Sequence, residues 1–251
     1  MLDSEFLLRP GQDTANPAGS ADLYEQAARQ DGIELKGSSV LVFGFGGGYG
    51  VALELLHRGA SHVFLQDPFA PIRDRRNERL PAERMERFFR RAQGAWLADE
   101  RWVTLVREPL PEFAKRNPGL VDLVVSSSVF EHVATDRVGD HIAASARLSR
   151  VGGLNVHQVD LRDHFFRYPF EMLHYGERTW NRWLNADNNL NRLRLPDFRR
   201  MFQQNFSQVH VEPQLVLREE FEMARDRIRP HYLSGDDDVD SVGTVLVCAL
   251  R

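Results

Sequence analysis

The feature that most constrains the fold is a regular alternation, beginning at residue 38, of short apolar runs with amphipathic stretches. Uninterrupted runs of Val, Leu and Phe are typical of strands that are buried on both faces. Strands of this kind, separated by helices, form a parallel sheet that is covered by helices on each side. Seven strands are predicted, at residues 40–43, 62–65, 103–106, 121–127, 154–159, 206–211 and 244–250.

The predicted fold class is therefore α/β, with a seven-stranded, mostly parallel sheet. The last two strands can pair as a hairpin, which makes the last strand antiparallel. Apolar residues at helical spacing predict a helix directly after the first strand. Five further helices are predicted, at residues 21–30 with Ser20 as the N-cap, and at 81–91, 136–148, 196–205 and 219–229.

The domain organisation is predicted from length and from a change in pattern. A chain of 251 residues fits one domain with a modest cap. Residues 1–35 are a lead-in and helix, and residues 36–251 are the domain. Within it, the stretch at about 164–195 is aromatic, rich in Asn and Arg, and without a clear period, which predicts a cap insertion.

Composition and charge limit the classes of partner that the chain is expected to bind. A net charge of −4 offers no basic face for nucleic acid, and the arginines of 84–91 are expected on the solvated face of a helix whose apolar stripe is Met85, Phe88 and Phe89. No apolar run approaches the roughly 20 residues that cross a bilayer, and the N-terminus does not have the pattern of an export signal. We expect a cytoplasmic protein with a small-molecule partner; whether it forms a homodimer is left open.

The first strand is followed by a glycine-rich loop. Glycine lets a backbone approach a ligand closely, and amides at the start of the next helix point outward. The dinucleotide fingerprint G-x-G-x-x-G would need glycine at position 49 or 51, but these positions hold Tyr49 and Val51. The glycines stand instead at positions 44, 46, 47, 48 and 50.

Three stretches carry a family resemblance: the pattern Gly44-x-Gly46-x-Gly48, the fourth-strand stretch 121–133, and the turn at 147–154. Together they resemble the bacterial small-molecule branch of the class I S-adenosylmethionine-dependent methyltransferases, and the resemblance covers residues 36–160. It implies the Rossmann-like fold of that class and S-adenosyl-L-methionine as the cofactor. The residues that it assigns to cofactor binding are Gly44, Phe45, Gly46, Gly48, Ser127 and Ser128.

Two acidic residues extend the predicted cofactor site. Asp67 follows the second strand about 20 residues beyond the glycines, where a carboxylate can accept both ribose hydroxyls of an adenosine. Pro68 and Phe69 would then flank the adenine. Alternatively, Asp67 only caps a turn before Pro68. The resemblance implies that Glu108, after the third strand, meets the adenine amino group; a surface-loop glutamate is the other interpretation.

One departure from the family concerns Val42. Relatives usually carry an acidic residue two places before the first glycine, where it organises contacts to the methionine amine of the cofactor. Here that place holds Val42. Either another group takes over, with Asp22 or Tyr24 of the first helix as candidates, or the cofactor is handled atypically.

The fifth strand is predicted to end in the substrate site. Ligands of such sheets bind at the carboxyl ends of the strands, so Asp160, Arg162, Asp163 and His164 should project toward the transferred methyl group. A histidine or carboxylate there could take the proton of a substrate hydroxyl or amine. His164 is the preferred base, His157 is the reserve, and Asp160 and Asp163 are further candidates. Alternatively, these groups only tie the cap to the sheet.

A metal site is not predicted. Asp160, Asp163 and His164 offer oxygen and nitrogen ligands, and some relatives that methylate catechols use magnesium. In those relatives the last ligands are an adjacent Asp-Asn pair about one strand-helix unit later, and the spacing here does not match.

The cap insertion is predicted to supply the substrate pocket. Aromatic rings with arginines suit a planar, anionic or sugar-like molecule. The predicted substrate-binding residues are Arg162, Tyr175, Trp180 and Arg192. Alternatively the aromatics form the cap's own core, which is the favoured interpretation for Phe165 and Phe170.

The leading functional prediction is methyl transfer from S-adenosylmethionine to an O or N atom of a small molecule, such as a secondary metabolite or a sugar-like acceptor. One alternative keeps the cofactor but performs cyclisation or aminocarboxypropyl transfer. Another is an NAD-dependent oxidoreductase, and a further one is a cofactor-binding protein without catalysis.

Overall fold

The computed structural model describes residues 15–185 and 190–251. The strands are β1 Ser39–Phe43, β2 His62–Gln66, β3 Phe89–Ala92, β4 Ala95–Ala98, β5 Val103–Val106, β6 Val121–Ser127, β7 Ser149–Asp160, β8 Gln208–Val216 and β9 Val242–Leu250. The α-helices are α1 Pro17–Gln30, α2 Gly50–His57, α3 Asp74–Asn77, α4 Ala82–Met85, α5 Leu110–Arg116, α6 Val138–Leu148, α7 Glu177–Thr179, α8 Leu195–Gln203, α9 Arg218–Ala224 and α10 Asp237–Asp240.

The main sheet has the strand order β5-β2-β1-β6-β7-β9-β8. The pairs β1–β2, β2–β5, β1–β6 and β6–β7 are parallel, and β9 runs antiparallel to both of its neighbours. The predicted seven-stranded, mostly parallel sheet with an antiparallel last strand is confirmed. Because the chain reverses its direction of travel across the sheet beside β1, the crevice at the carboxyl end of β1 is where this architecture binds ligands.

Each face of the sheet is covered by its own helical layer. Successive side chains of a strand point to opposite faces, so Val40 and Val42 pack against α1 and α2, whereas Leu41 and Phe43 pack against α5, α6 and α8. This two-sided burial explains why the parallel strands are uninterrupted apolar runs in the sequence.

The prediction of a helix over 81–91 is wrong. The helix α4 ends at Met85, and β3 and β4 form a small antiparallel hairpin in its place. The apolar spacing of Met85, Phe88 and Phe89 is equally satisfied by a short helix, a turn and a strand, and all three side chains are buried. The overlooked signal is Gln93-Gly94, whose two positive φ angles (51° and 81°) build the hairpin turn.

Several element ends differ from the prediction. The first helix begins at Pro17 and is capped by the side chain of Asn16, which accepts from the Gly19 amide, so Ser20 lies inside the helix instead of capping it. The helix predicted at 219–229 stops at Ala224 and continues as a single 3₁₀ turn, Arg225–Arg227. The strand β8 is longer than predicted because a bulge accommodates Pro213.

A third apolar cluster lies under the cap segment. It joins residues after β7 to α9, and includes Phe170, Trp180, Leu190, Phe221 and Ile228. Phe170 is buried as expected, but Phe165 is 39% exposed and is not a core residue. In the described part of the chain, no helix combines the length and the apolar character required to span a membrane.

Candidate functional site

The candidate site lies at the carboxyl edge of the sheet, where loops from neighbouring strands are hydrogen-bonded to one another. The amide of Gly44, after β1, donates to the carbonyl of Gln66 at 2.8 Å. The amide of Asp67, after β2, donates to the carbonyl of Val106 at 3.1 Å. The amide of Ser128, after β6, donates to the carbonyl of Gln158 in β7 at 3.0 Å. The rim at this edge therefore has two hydrogen-bonded parts, one that joins the ends of β1, β2 and β5 and one that joins the ends of β6 and β7.

The glycine loop has a backbone that side chains disfavour. Gly44, Gly46 and Gly47 have φ angles of 73°, 63° and 83°, in the left-handed region. A Cβ at Gly44 would collide with the side chain of Val129, which follows β6. Phe45 points inward and is buried beneath the guanidinium of Arg107, which lies 5.5 Å from its ring. The amides of Gly44 and Phe45 donate to the carbonyl of Gln66, and the amide of Gly46 donates to Asp67, so the loop is held against the end of β2.

Asp67 fastens the glycine loop to the loop after β2. Its Oδ2 accepts from the amide of Gly46 at 3.3 Å, and its Oδ1 accepts from the amides of Phe69 and Ala70 at 3.0 and 2.9 Å. The turn-capping role and a ligand-binding role are thus compatible, because each carboxylate oxygen has more than one lone pair.

The three residues expected around the adenine have different surroundings in the structure. The Phe69 ring is 90% exposed at the tip of its loop, and Pro68 is partly exposed beside it. Glu108 forms an ion pair with Arg116, and its carbonyl accepts from the side chain of Gln66 at 2.7 Å. The carboxylate of Glu108 is therefore already engaged with a cation.

The end of β6 turns sharply at the predicted serines. Ser127 donates to the side chain of Gln158 at 3.0 Å, and Ser128 has a φ of 55°, which is rare outside glycine. The 3₁₀ turn Phe130–His132 follows. This turn buries Glu131, a residue of the recognised motif that the sequence prediction did not assign to the site.

The departure at Val42 has a clear structural setting. Val42 is fully buried, on the face of β1 that packs against α1 and α2. Of the two suggested replacements, Asp22 forms an ion pair with Arg58, and Tyr24 is buried in the same apolar cluster as Val42. The position of Val42 therefore belongs to the apolar core.

Gly47 and Gly48 provide a matched pair for testing the loop. A Cβ at Gly47 would overlap the carbonyl oxygen of Pro71, whereas a Cβ at Gly48 meets open space. We expect Gly47→Ala to destabilise the fold by at least about 1–2 kcal/mol, from the left-handed backbone alone. Gly48→Ala should keep the melting temperature of the wild type. Thermal unfolding of the two variants measures this; equal melting temperatures would contradict it.

The end of β7 carries an ionic cluster. Arg162 donates to both oxygens of Asp160, at 2.8 and 2.6 Å, and Nε2 of His164 lies 3.4 Å from Asp160 Oδ2. Burial alone would raise the pKa of Asp160, but the hydrogen bonds from Arg162 and His164 outweigh it and hold the pKa far below its usual range. The ring of His132 lies 5.2 Å from that of His164, so the turn after β6 faces this cluster.

Two other predicted catalytic residues have structural partners. The carboxylate of Asp163 accepts from the amides of Phe165 and Phe166, at 2.7 and 3.0 Å, and so shapes the start of the cap. His157 is fully buried: Nδ1 lies 2.8 Å from Ser126 Oγ, Nε2 lies 3.3 Å from Asn155 Oδ1, and burial lowers its pKa to about 3. Both ring nitrogens of His157 therefore have partners, whereas Oδ2 of Asp163 is buried without a hydrogen bond in the described part of the chain.

The predicted substrate residues of the cap lie mostly in its interior. The Arg192 guanidinium lies between the rings of Trp180 and Tyr232, at 5.2 and 5.0 Å, and pairs with Glu177. Trp180 and Arg192 also border a cavity of about 560 Å³. The Tyr175 ring stacks on Phe166 at 5.5 Å. The polar atoms of Trp180 and Arg192 bond within the cap, so both residues contribute to its packing, and substrate binding at the cavity they border stays a prediction.

Metal ligation was considered for the ionic cluster. In residues 15–185 and 190–251, no group of three or more His, Cys, Asp or Glu side chains is arranged to hold a metal ion. Arg162 already forms an ion pair with the carboxylate of Asp160, and backbone amides already donate to Oδ1 of Asp163. The cation that the Asp160 carboxylate binds is therefore the guanidinium of Arg162.

Comparisons with known proteins show similarity in structure. No protein-family model and no curated protein sequence matches the chain. An S-adenosylmethionine-dependent methyltransferase from Mesorhizobium loti is 17% identical, with 94% of this chain and 100% of that chain covered and a TM-score of 0.54.

Two further structures contain S-adenosylhomocysteine. The 1,6-didemethyltoxoflavin-N1-methyltransferase of Burkholderia thailandensis is 15% identical, with 94% and 78% coverage and a TM-score of 0.50. The magnesium protoporphyrin IX methyltransferase of Synechocystis is 14% identical, with 93% and 82% coverage and a TM-score of 0.53. At these identities the likeness establishes the fold.

Proposed function

We propose that this chain, whose fold is that of the class I S-adenosylmethionine-dependent methyltransferases, transfers a methyl group from S-adenosyl-L-methionine to an O or N atom of a small molecule. The observation that carries the proposal is the hydrogen bond between Asp67 and Gly46, which joins the acidic end of β2 to the glycine loop after β1. With a net charge of −4, a small molecule is a better acceptor than nucleic acid.

The residues of the rim fit the proposed cofactor. Gly44 and Gly46 both have left-handed backbone, but the side chain of Val129 fills the space beside Gly44, so Gly46 is the position where a ligand could meet bare backbone. The remaining lone pairs of Asp67 can accept the two ribose hydroxyls, and the exposed ring of Phe69 can cover an adenine. Ser128, in its left-handed turn after β6, closes the opposite side of the crevice.

The proposed transfer site is the ionic cluster at the end of β7. The bound cofactor would supply a methyl group on a positively charged sulfur, and the acceptor atom would form a bond to that carbon as the sulfur–carbon bond breaks. With Nε2–H directed at Asp160, the Nδ1 lone pair of His164 can accept the proton that the acceptor loses. Asp160 would stabilise the resulting imidazolium, while Arg162 holds the carboxylate in position.

One observation favours a second candidate function. Because Val42 replaces the usual acidic residue with a buried apolar side chain, the methionine end of the cofactor could be held differently. Aminocarboxypropyl transfer or cyclisation on the same fold would release methylthioadenosine, whereas methyl transfer releases S-adenosylhomocysteine. Mass spectrometry of the turnover products distinguishes the two chemistries.

The cofactor is tested by ligand-induced stabilisation. We expect S-adenosylhomocysteine to raise the melting temperature in a concentration-dependent manner, because a ligand that binds only the folded state stabilises it. NAD should leave the melting temperature unchanged, since Tyr49 and Val51 interrupt the dinucleotide spacing. Stabilisation by NAD without stabilisation by S-adenosylhomocysteine would overturn the proposal.

Asp67→Asn is expected to weaken S-adenosylhomocysteine binding by about 1.5–3 kcal/mol, or roughly 10- to 100-fold, because one charged acceptor of ribose hydroxyls is lost. The remaining amide oxygen can still accept from Phe69 and Ala70, so the turn should persist. Isothermal titration calorimetry measures the affinity. Asp74→Asn, in the exposed first turn of α3, is the control; equal affinities for both variants would remove Asp67 from the site.

A further inference from the structure

The most unusual charged residue outside the assigned site is Glu131. Its side chain is 2% exposed, in the turn directly after β6. Among the described residues, neither carboxyl oxygen makes a hydrogen bond. The Ser128 hydroxyl and the Asp160 amide face the carboxyl, but neither reaches hydrogen-bonding geometry. A buried carboxylate without such partners is unstable, so the group favours its neutral form.

The cap prevents Glu131 from turning out toward solvent. The amide of Asn191 donates to the carbonyl of Glu131 at 2.7 Å. The Asn191 side chain donates to the carbonyls of Phe130 and Val133, at 2.7 and 2.8 Å. On the other side, the left-handed backbone of Ser128 directs the turn inward. The burial of Glu131 is thus built by two separate segments.

The charges around Glu131 belong to the transfer site. Asp160 and Arg162, at the end of β7, are the charged groups that act on it, and Asp160 in turn contacts His164. Burial raises the pKa of Glu131 to about 8, and the negative charge of Asp160 adds to the effect. Two neighbouring carboxyl groups are thereby driven to opposite states, one neutral and one ionised.

We infer that Glu131 is a positioning residue of the transfer site, which holds a proton so that Arg162 and His164 remain paired with Asp160. If Glu131 lost its proton, a second negative charge would compete for Arg162 and repel Asp160. His164 would then lose its fixed partner. The role in transfer rests on the proposed function, whereas the protonated state of Glu131 is independent of it.

Glu131→Gln tests the protonated state without any activity. A carboxyl whose pKa is raised on folding stabilises the fold fully at acidic pH, and this stabilisation is lost as pH rises toward the folded pKa. Relative to Glu131→Gln, the melting temperature of the wild type should therefore fall by roughly 10 °C between about pH 5 and 8 and level off above. A constant difference over this range would overturn the inference.

A control variant and the pH dependence of methyl transfer complete the test. The exposed Glu83, in α4, provides the control: Glu83→Gln should follow the wild type at every pH. For transfer, the pH dependence of kcat/KM is the readout: we expect the activity of the wild type to decline as pH rises through about 8, and Glu131→Gln, which has no carboxyl proton to lose, to show no such decline. A loss of 100-fold or more in a variant that keeps its stability would show that the ionised carboxylate is required, and would overturn the positioning role.

Discussion

Replacing His164 by alanine is expected to lower the rate of methyl transfer by about 10²- to 10⁴-fold, the range that a positioned general base contributes. His164 is the histidine of the crevice that contacts an ionised carboxylate, with Nε2 at 3.4 Å from Asp160. That contact leaves Nδ1 to take the proton of the acceptor. Single-turnover kinetics, with S-adenosylhomocysteine formation as the signal, measures the rate of the transfer step.

The matched control for His164 is His210→Ala, on the exposed edge strand β8. It should keep the wild-type rate. Asp160→Asn should reduce the rate as well, because it removes the charge that would stabilise the imidazolium. If His164→Ala transfers methyl groups at the wild-type rate, alignment of the reactants alone would account for catalysis, while the fold and cofactor proposals would stand.

Replacing Arg194 by methionine is expected to reduce the free energy of unfolding by about 3–5 kcal/mol. The buried guanidinium donates to three carbonyl oxygens: Leu161 at 2.7 Å, Asp240 at 3.0 Å and Val242 at 2.8 Å. It also lies 5.4 Å from the ring of Phe170. Methionine fills part of the space but leaves all three carbonyls without their donor, and urea denaturation measures the loss.

The variant Arg199→Met, exposed on helix α8, which begins directly after Arg194, should unfold like the wild type. Arg194 binds the carbonyl of Leu161, which directly follows Asp160, so we also expect Arg194→Met to lose transfer activity. Burial lowers the pKa of Arg194 to about 10, but the guanidinium stays charged at neutral pH and the effect should be independent of pH between 6 and 8. A loss of less than about 1 kcal/mol would contradict the stabilising role of these three hydrogen bonds.

Local sequence pattern predicts the structure correctly where that pattern and burial coincide. The apolar runs of β1, β2 and β6 are read directly from the sequence because parallel strands are buried on both faces. The loop containing Gly44 and Gly46 was predicted because left-handed backbone favours glycine. Asp67 was placed at the end of β2 by its spacing, and the structure joins it to that loop.

The prediction failed where one pattern fits two structures. Met85, Phe88 and Phe89 are spaced as in a helix, yet only Met85 belongs to one. The sequence also does not reveal that the side chains of His157 and Trp180, which it assigns to the catalytic and substrate sites, are buried. Burial depends on residues distant in the chain, such as Phe130 and Phe202 around His157, and the local sequence does not contain that information.

The sequence by itself determined the order of the strands along the chain, the glycine loop and the acidic residue after β2, because each depends on a few adjacent residues. Only the tertiary structure decided which polar groups are charged and which are accessible. Glu131 lies 29 residues before Asp160 in the sequence, and the pairing of β6 with β7 brings them into one buried space. The electrostatic state of a group follows from its surroundings in three dimensions, and therefore from the complete fold.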